Sequence, residues 1–158
     1  MKAVVTQSRL SRLGLFDRPA RILNIGQTGV PAELGGGLVD WSFAHGAAQV
    51  LAQMRQERFD HVLAGRTVAQ QPVWPLIRRM KSVRRKQKWS LVAPLASHAE
   101  EVMARSLGVV RIFDSPPDLE AILELVAGSI EVEQMLMEDA MDPKERRLGI
   151  RNLQPQAF

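Results

Sequence analysis

Five short apolar runs, most of them separated by stretches of helical periodicity, limit this chain to very few architectures. The runs are Arg21–Gly26, Leu38–Ala44, Phe59–Gly65, Trp89–Ala93 and Val109–Phe113. Each is too short for a buried helix, and several are bounded by glycine or proline, so each reads as a strand. Between them, Ala47, Val50, Leu51 and Met54 share one helical face. Val73 to Lys86 predicts a second helix with Pro75 in its first turn. Ser97-His98-Ala99-Glu100 has the capping-box pattern and opens a third, ending near Gly108. Ser115-Pro116-Pro117-Asp118 opens the last, whose stripe is Leu119, Ile122, Leu123, Val126 and Ile130.

Strands alternating with helices predict a parallel sheet covered on both faces. Five strands in this length fit an α/β, flavodoxin-like three-layer sandwich with strand order 2-1-3-4-5. One interval departs from the pattern. Gln27 to Gly37 holds Gly29, Pro31 and the run Gly35-Gly36-Gly37, which leaves room for one turn at Pro31–Leu34 and no long helix. The first helix is therefore expected to be shortened or lost.

At 158 residues the chain has the length of one domain with extensions. We expect an N-terminal extension over 1–20, the α/β domain over 21–130, and a helical extension with a loose tail over 131–158. Cysteine is absent, which excludes disulfides, thiolate nucleophiles and Cys-ligated zinc. No apolar run reaches the ~20 residues of a spanning helix, and the first residues do not read as a signal peptide. The expected location is cytoplasmic, with no membrane contact.

The segment Val39–Gly65 resembles the receiver domain of bacterial response regulators: a second strand, a helix with paired small residues, and a Phe59-Asp60 step into the third strand. Val109–Pro116 is similar to the fifth strand of that family and the turn after it. The resemblance covers roughly Arg21 to Ile130 and implies a CheY-like fold. In that family an aspartate ending the third strand accepts a phosphoryl group, an acidic pair after the first strand holds Mg²⁺, and a hydroxyl and a lysine after the fourth and fifth strands stabilise the phosphoryl oxygens.

Here every one of those positions differs. The acidic pair falls on Gly26 and Gln27, the phosphoacceptor on Gly65, the hydroxyl on or beside Pro94, and the lysine on Ser115, followed by the family's proline as Pro116. The resemblance is to a degenerate receiver: no catalytic residue, no metal, no cofactor. It implies a non-enzymatic signalling domain acting through protein contacts, in regulation of transcription or a phosphorelay-related pathway. Receivers commonly pair through the surface matching residues 97–130, so a homodimer or a docked protein is expected there.

Other residues read more plainly. Asp114 and Ser115 are expected to cap the last helix, and Arg66 to be an exposed loop residue. Gly26-Gln27-Thr28-Gly29 lacks the spacing of a nucleotide-binding fingerprint. His45, His61 and His98 have no metal-site spacing, and His61 reads as a packed or edge strand residue. Met135, Met137 and Met141 suit either an interaction surface or ordinary packing.

The formal net charge is +4, and seven of the 21 basic residues fall between Arg78 and Lys88: Arg78, Arg79, Lys81, Arg84, Arg85, Lys86 and Lys88. At helical spacing Arg78, Lys81 and Arg85 would line one side. Such a run usually marks a solvated face. The alternative function is a nucleic-acid-associated protein using this patch.

Overall fold

The computed structural model describes residues 18–127. In chain order the elements are β1 (Ala20–Ile25), a 3₁₀ turn (Gly36–Leu38), β2 (Val39–Ala44), α1 (Ala47–Gln56), β3 (His61–Gly65), β4 (Thr67–Val68), β5 (Gln71–Pro72), α2 (Trp74–Val83), β6 (Trp89–Val92), α3 (His98–Ser106), β7 (Ile112–Phe113) and α4 (residues 119–127). The main sheet is parallel throughout, in the order β2-β1-β3-β6-β7, which is the expected 2-1-3-4-5 arrangement. Residues 1–17 of the extension expected over 1–20, the helical continuation past residue 127 and the Met135–Met141 surface lie outside the described residues.

The period of two along each strand divides the core into two halves. On one face Leu23, Ile25, Val62, Ala64 and Leu91 meet Val50 and Met54 of α1 and Ile77 and Met80 of α2. On the other, Ile22, Leu63, Val92 and Phe113 meet Ile122, Leu123 and Val126 of α4. Trp89 is fully buried on the first face, and its indole N–H donates to the Leu107 carbonyl at 2.9 Å. That bond ties the end of α3 to β6 and leaves no buried donor unpaired.

The second face carries one helix where the first carries three. Residues 26–38 cover the remainder as a loop. Leu34 N–H donates to Pro31 O at 3.2 Å, giving the single expected turn. The Trp41 indole then donates to Leu34 O at 2.7 Å, pinning the loop over the sheet. Gly35, at φ +89°, lies where a Cβ would collide with Val39 and Leu119. The loop can lie this close to β2 and α4 only because that side chain is missing.

Three local expectations are corrected. The helix expected over Val73–Lys86 stops at Val83, because Arg84 is extended (φ −136°, ψ 92°). Arg85 therefore does not share a helical face with Arg78 and Lys81. The fifth strand is only Ile112–Phe113, since Gly108 at φ +76° turns the chain and Val109 N–H bonds back to Ala104 O. A small antiparallel hairpin, β4–β5, lies between β3 and α2. Its turn places Ala69 (φ 49°) and Gln70 (φ 63°) in left-handed conformations without a glycine or asparagine, so periodicity gave no sign of it.

His61 is wholly buried in β3. Its Nε2 lies 2.8 Å from Ser90 Oγ, while Nδ1 has no hydrogen-bond partner. Burial first, and then the charge of Lys88, lower its pKa to about 4 from 6.5, against an opposing pull from Asp60. The unfolded chain binds this proton below about pH 6.5 and the native state only near pH 4. Stability therefore falls as pH drops through that window, by about 3 kcal/mol in all. We expect denaturant melts at pH 7 and pH 4 to differ by about this amount, and His61→Leu to remove most of the difference.

Candidate functional site

In a parallel sheet every strand ends at the same edge, and that edge is where such folds ordinarily keep their chemistry. Gly65 of β3 pairs with Val92 of β6, and Val92 pairs with Phe113 of β7. Ile25 at the end of β1 pairs with Ala64. The structure thus brings Gly65, the last residue of β3, and Gly26, Gln27, Pro94 and Ser115, in the loops after the other strands, to one edge.

The space there is filled by main chain. A Cβ built on Gly65 would stand 2.6 Å from Gln27 O and 3.1 Å from Gln27 C. Gly26, at φ +73°, lies directly under the Thr67 carbonyl of the hairpin, and Gly29, at φ +77°, lies against the Pro116 ring. Beneath this layer the Thr28 hydroxyl donates to Asn24 Oδ1 at 2.9 Å, a buried polar pair that satisfies itself. The loop that replaces the first helix has folded into the place where a β3 side chain would project.

Side chains then cross-link the rim. Arg66, directly after β3, donates from Nε to Glu100 Oε2 at 2.7 Å and from Nη2 to Pro94 O at 2.7 Å. Glu100 also accepts from the Ser97 backbone N–H at 3.0 Å, completing the capping box of α3. The Ser97 N–H first, and then Arg66, hold the Glu100 carboxyl below its ordinary range. Arg66 is the exposed loop residue expected, and it is also partnered, bridging three elements. Asp114 accepts from Leu95 N–H at 2.7 Å. It does not cap α4; Asp118 does, accepting from Ala121 N–H at 2.9 Å.

This edge does not suit a divalent cation. Gly26 and Gln27 supply no carboxylate, and the Asp114 oxygen is engaged. Among the described residues no group of three or more His, Cys, Asp or Glu is placed to hold a metal ion. No described helix is long and apolar enough to cross a membrane.

Beside the rim, α3 and β7 border an open cleft of about 520 Å³, lined in part by Glu101, Arg105, Arg111 and Asp114. Apolar side chains stand out around it. Leu95 is 89% exposed at φ 52°, Val102 is 52% exposed and Val110 49%. The Arg111 guanidinium lies 4.7 Å over the Phe113 ring, which fixes one wall.

The basic run does not act as one surface. Arg78 turns to Met103 of α3 (Nη2 to Sδ, 3.4 Å), and Lys81 donates to Gln87 O at 3.2 Å. Arg84 donates to Met54 O at 2.9 and 3.1 Å, closing the carbonyl end of α1. Arg85, Lys86 and Lys88 follow α2 into the loop before β6, at the opposite, amino edge of the sheet. There they border a cleft of about 690 Å³ together with Arg18, Arg21 and Arg58. Sequence reasoning missed those three. The available signal was that Arg21 opens β1 and Arg58 precedes β3, so a parallel sheet must place both beside the loop that precedes β6.

No family model matches the sequence, and no curated protein matches it. Solved structures do match. A response regulator receiver domain protein (CheY-like) from Methanospirillum hungatei JF-1 superposes with a TM-score of 0.63 at 19% identity, over 74% of this chain and 98% of that one. The signal receiver domain of an HD domain-containing protein from Pseudomonas fluorescens Pf-5 gives 0.61 at 19%, over 75% and 98%. A Burkholderia pseudomallei response regulator with a phosphorylated aspartic acid, a calcium ion and citrate gives 0.58 at 21%, over 75% and 74%. The chain therefore has the receiver, CheY-like fold.

The close approach at Gly65 has a measurable cost. We expect Gly65→Ala to destabilise the domain by about 1–3 kcal/mol in urea melts, because backbone must shift to admit one methyl. Gly37→Ala, which meets nothing within 4 Å, should stay within about 0.5 kcal/mol of the parent. Equal effects at the two positions would show that the carboxyl edge has slack.

Proposed function

We propose that this domain is a receiver-fold signalling module that works through protein contacts and has no aspartyl-phosphate switch. One observation carries the reading: the end of β3 meets the Gln27 main chain, leaving neither a carboxylate nor room for one. Phosphoryl transfer needs a nucleophile, a cation to neutralise developing charge and fixed groups around the transferring oxygens. Gly65, Gly26, Gln27, Pro94 and Ser115 supply none of these side chains in the form the chemistry uses. The domain would act as a binding partner and not as an enzyme.

Its contact surface, in this reading, is the face formed by α3, β7 and α4, within residues 97–130, together with the adjoining Leu95. Leu95, Val102 and Val110 give that face exposed apolar area, and Glu101, Arg105, Arg111 and Asp114 surround it with charges of both signs. An apolar centre with a charged rim suits protein association, and charges of both signs suit a self-complementary pair.

Two measurements test this. Incubation with acetyl phosphate and Mg²⁺ is expected to leave the intact mass and the tryptophan fluorescence unchanged. A phosphoryl adduct on Asp114 or Asp60 would overturn the reading. In sedimentation experiments, Leu95→Asp with Val110→Asp is expected to weaken self-association or partner binding at least tenfold while the melting curve stays close to the parent's. Association that ignores both substitutions would place the contact elsewhere.

A further inference from the structure

The amino edge of the sheet holds a second surface, remote from the edge and face discussed above. Three separate pieces of chain deliver cations to it: the start of β1, the loop between α1 and β3, and the loop between α2 and β6. Arg21, Arg58, Arg85, Lys86 and Lys88 border the cleft, and none of them has a side-chain hydrogen bond or ion pair among the described residues. Among the described residues one carboxylate, Asp60, lines the cleft, and it is already engaged. It receives two hydrogen bonds of 2.8 Å from Arg18 and a third of 2.8 Å from the Arg21 backbone N–H. Burial raises the Asp60 pKa, but the Arg18 and Arg21 contacts outweigh it, so the group stays ionised below the usual range. Its one negative charge leaves the cleft strongly positive.

That excess is visible in neighbouring groups. The charge of Lys88 lowers the pKa of Lys81, after burial, and of His61 as well. Like charges held this close in one cleft are unfavourable unless a counter-charge arrives.

We propose that this cleft binds the phosphodiester backbone of nucleic acid without reading the bases. Two features favour phosphate over an acidic protein. Arginine predominates, and its planar fork matches phosphate oxygens in pairs. The cleft also offers little apolar surface for the centre of a protein interface: among the described residues its apolar lining is Phe59, 7% exposed, and the single small side chain of Val83, 36% exposed. With Phe59 buried, the cleft offers no aromatic face for base stacking, so affinity comes from charge alone and ignores sequence.

The test is fluorescence anisotropy of the full chain with a labelled 20-base-pair DNA duplex of arbitrary sequence, and with one of its strands. Five cations engaging about four phosphates predict a log–log salt slope near −4 on duplex, hence a loss of about two orders of magnitude between 50 and 200 mM salt. Arg58→Ala with Arg85→Ala and Lys86→Ala is expected to weaken binding at least tenfold without changing the melting curve. Arg78→Ala with Arg79→Ala, on α2 outside the cleft, is expected to leave it within twofold. The proposal is overturned if no binding appears at 50 mM salt, or if the α2 pair matters as much as the cleft triple. It is also overturned if poly-glutamate displaces the duplex at equal charge concentration, which would assign the cleft to an acidic protein.

Discussion

The main-chain contact between Gln27 and Gly65 sets the terms for the carboxyl edge. Two backbones can approach that closely only where no Cβ intervenes, and the glycines at 26, 29 and 65 provide three such places in one layer. Once the loop after β1 lies there, the first helix has no room over the sheet, the hairpin carbonyl of Thr67 can rest on Gly26, and Pro116 can close against Gly29. The missing helix and the missing carboxylate are thus two aspects of one packing arrangement. At the end of β3 main chain now occupies the space a side chain would take, while Gln27, Pro94 and Ser115 around it remain exposed.

Much of this was legible in the sequence. The strands could be read from short apolar runs, and the order of the sheet from their alternation with helices. The capping box at Ser97 and Glu100 is a local pattern with a local cause, and it holds. What periodicity could not convey was contact between segments distant in sequence. Arg66 reaching Glu100 spans 34 residues, and Asp114 reaching Leu95 spans 19. For Asp114 that bond replaced the expected helix cap; for Arg66, exposed as expected, it added a role the loop position alone did not show. Charge misled for the same reason. Seven basic residues between Arg78 and Lys88 look like one patch, yet a single extended residue, Arg84, sends the second half to another edge and commits its own side chain to α1.

The two edges of the sheet divide the molecule's electrostatics. At the carboxyl edge the charged groups are spent on each other or on backbone: Arg66 on Glu100 and Pro94, Asp114 on Leu95. At the amino edge one carboxylate faces several cations. Exposed ion pairs add little stability singly, so the carboxyl rim owes more to geometry than to charge. The amino edge is the reverse case, a potential without a structural debt, and the buried neutral imidazole of His61 lies between the two.

The strap made by Arg66 bears on how information could pass through such a domain. A conformational relay needs two arrangements of comparable free energy, so that a stimulus can favour one. Arg66 fastens the loops after β3 and β6 to the first turn of α3, which are the segments such a relay would have to move. In the reading proposed above, a second arrangement of those segments would have to break the Arg66 bonds and the glycine contacts together. What the domain communicates would then depend on how much of it is present and what is bound to it, as with a tether or an adaptor, and its output would be graded by occupancy.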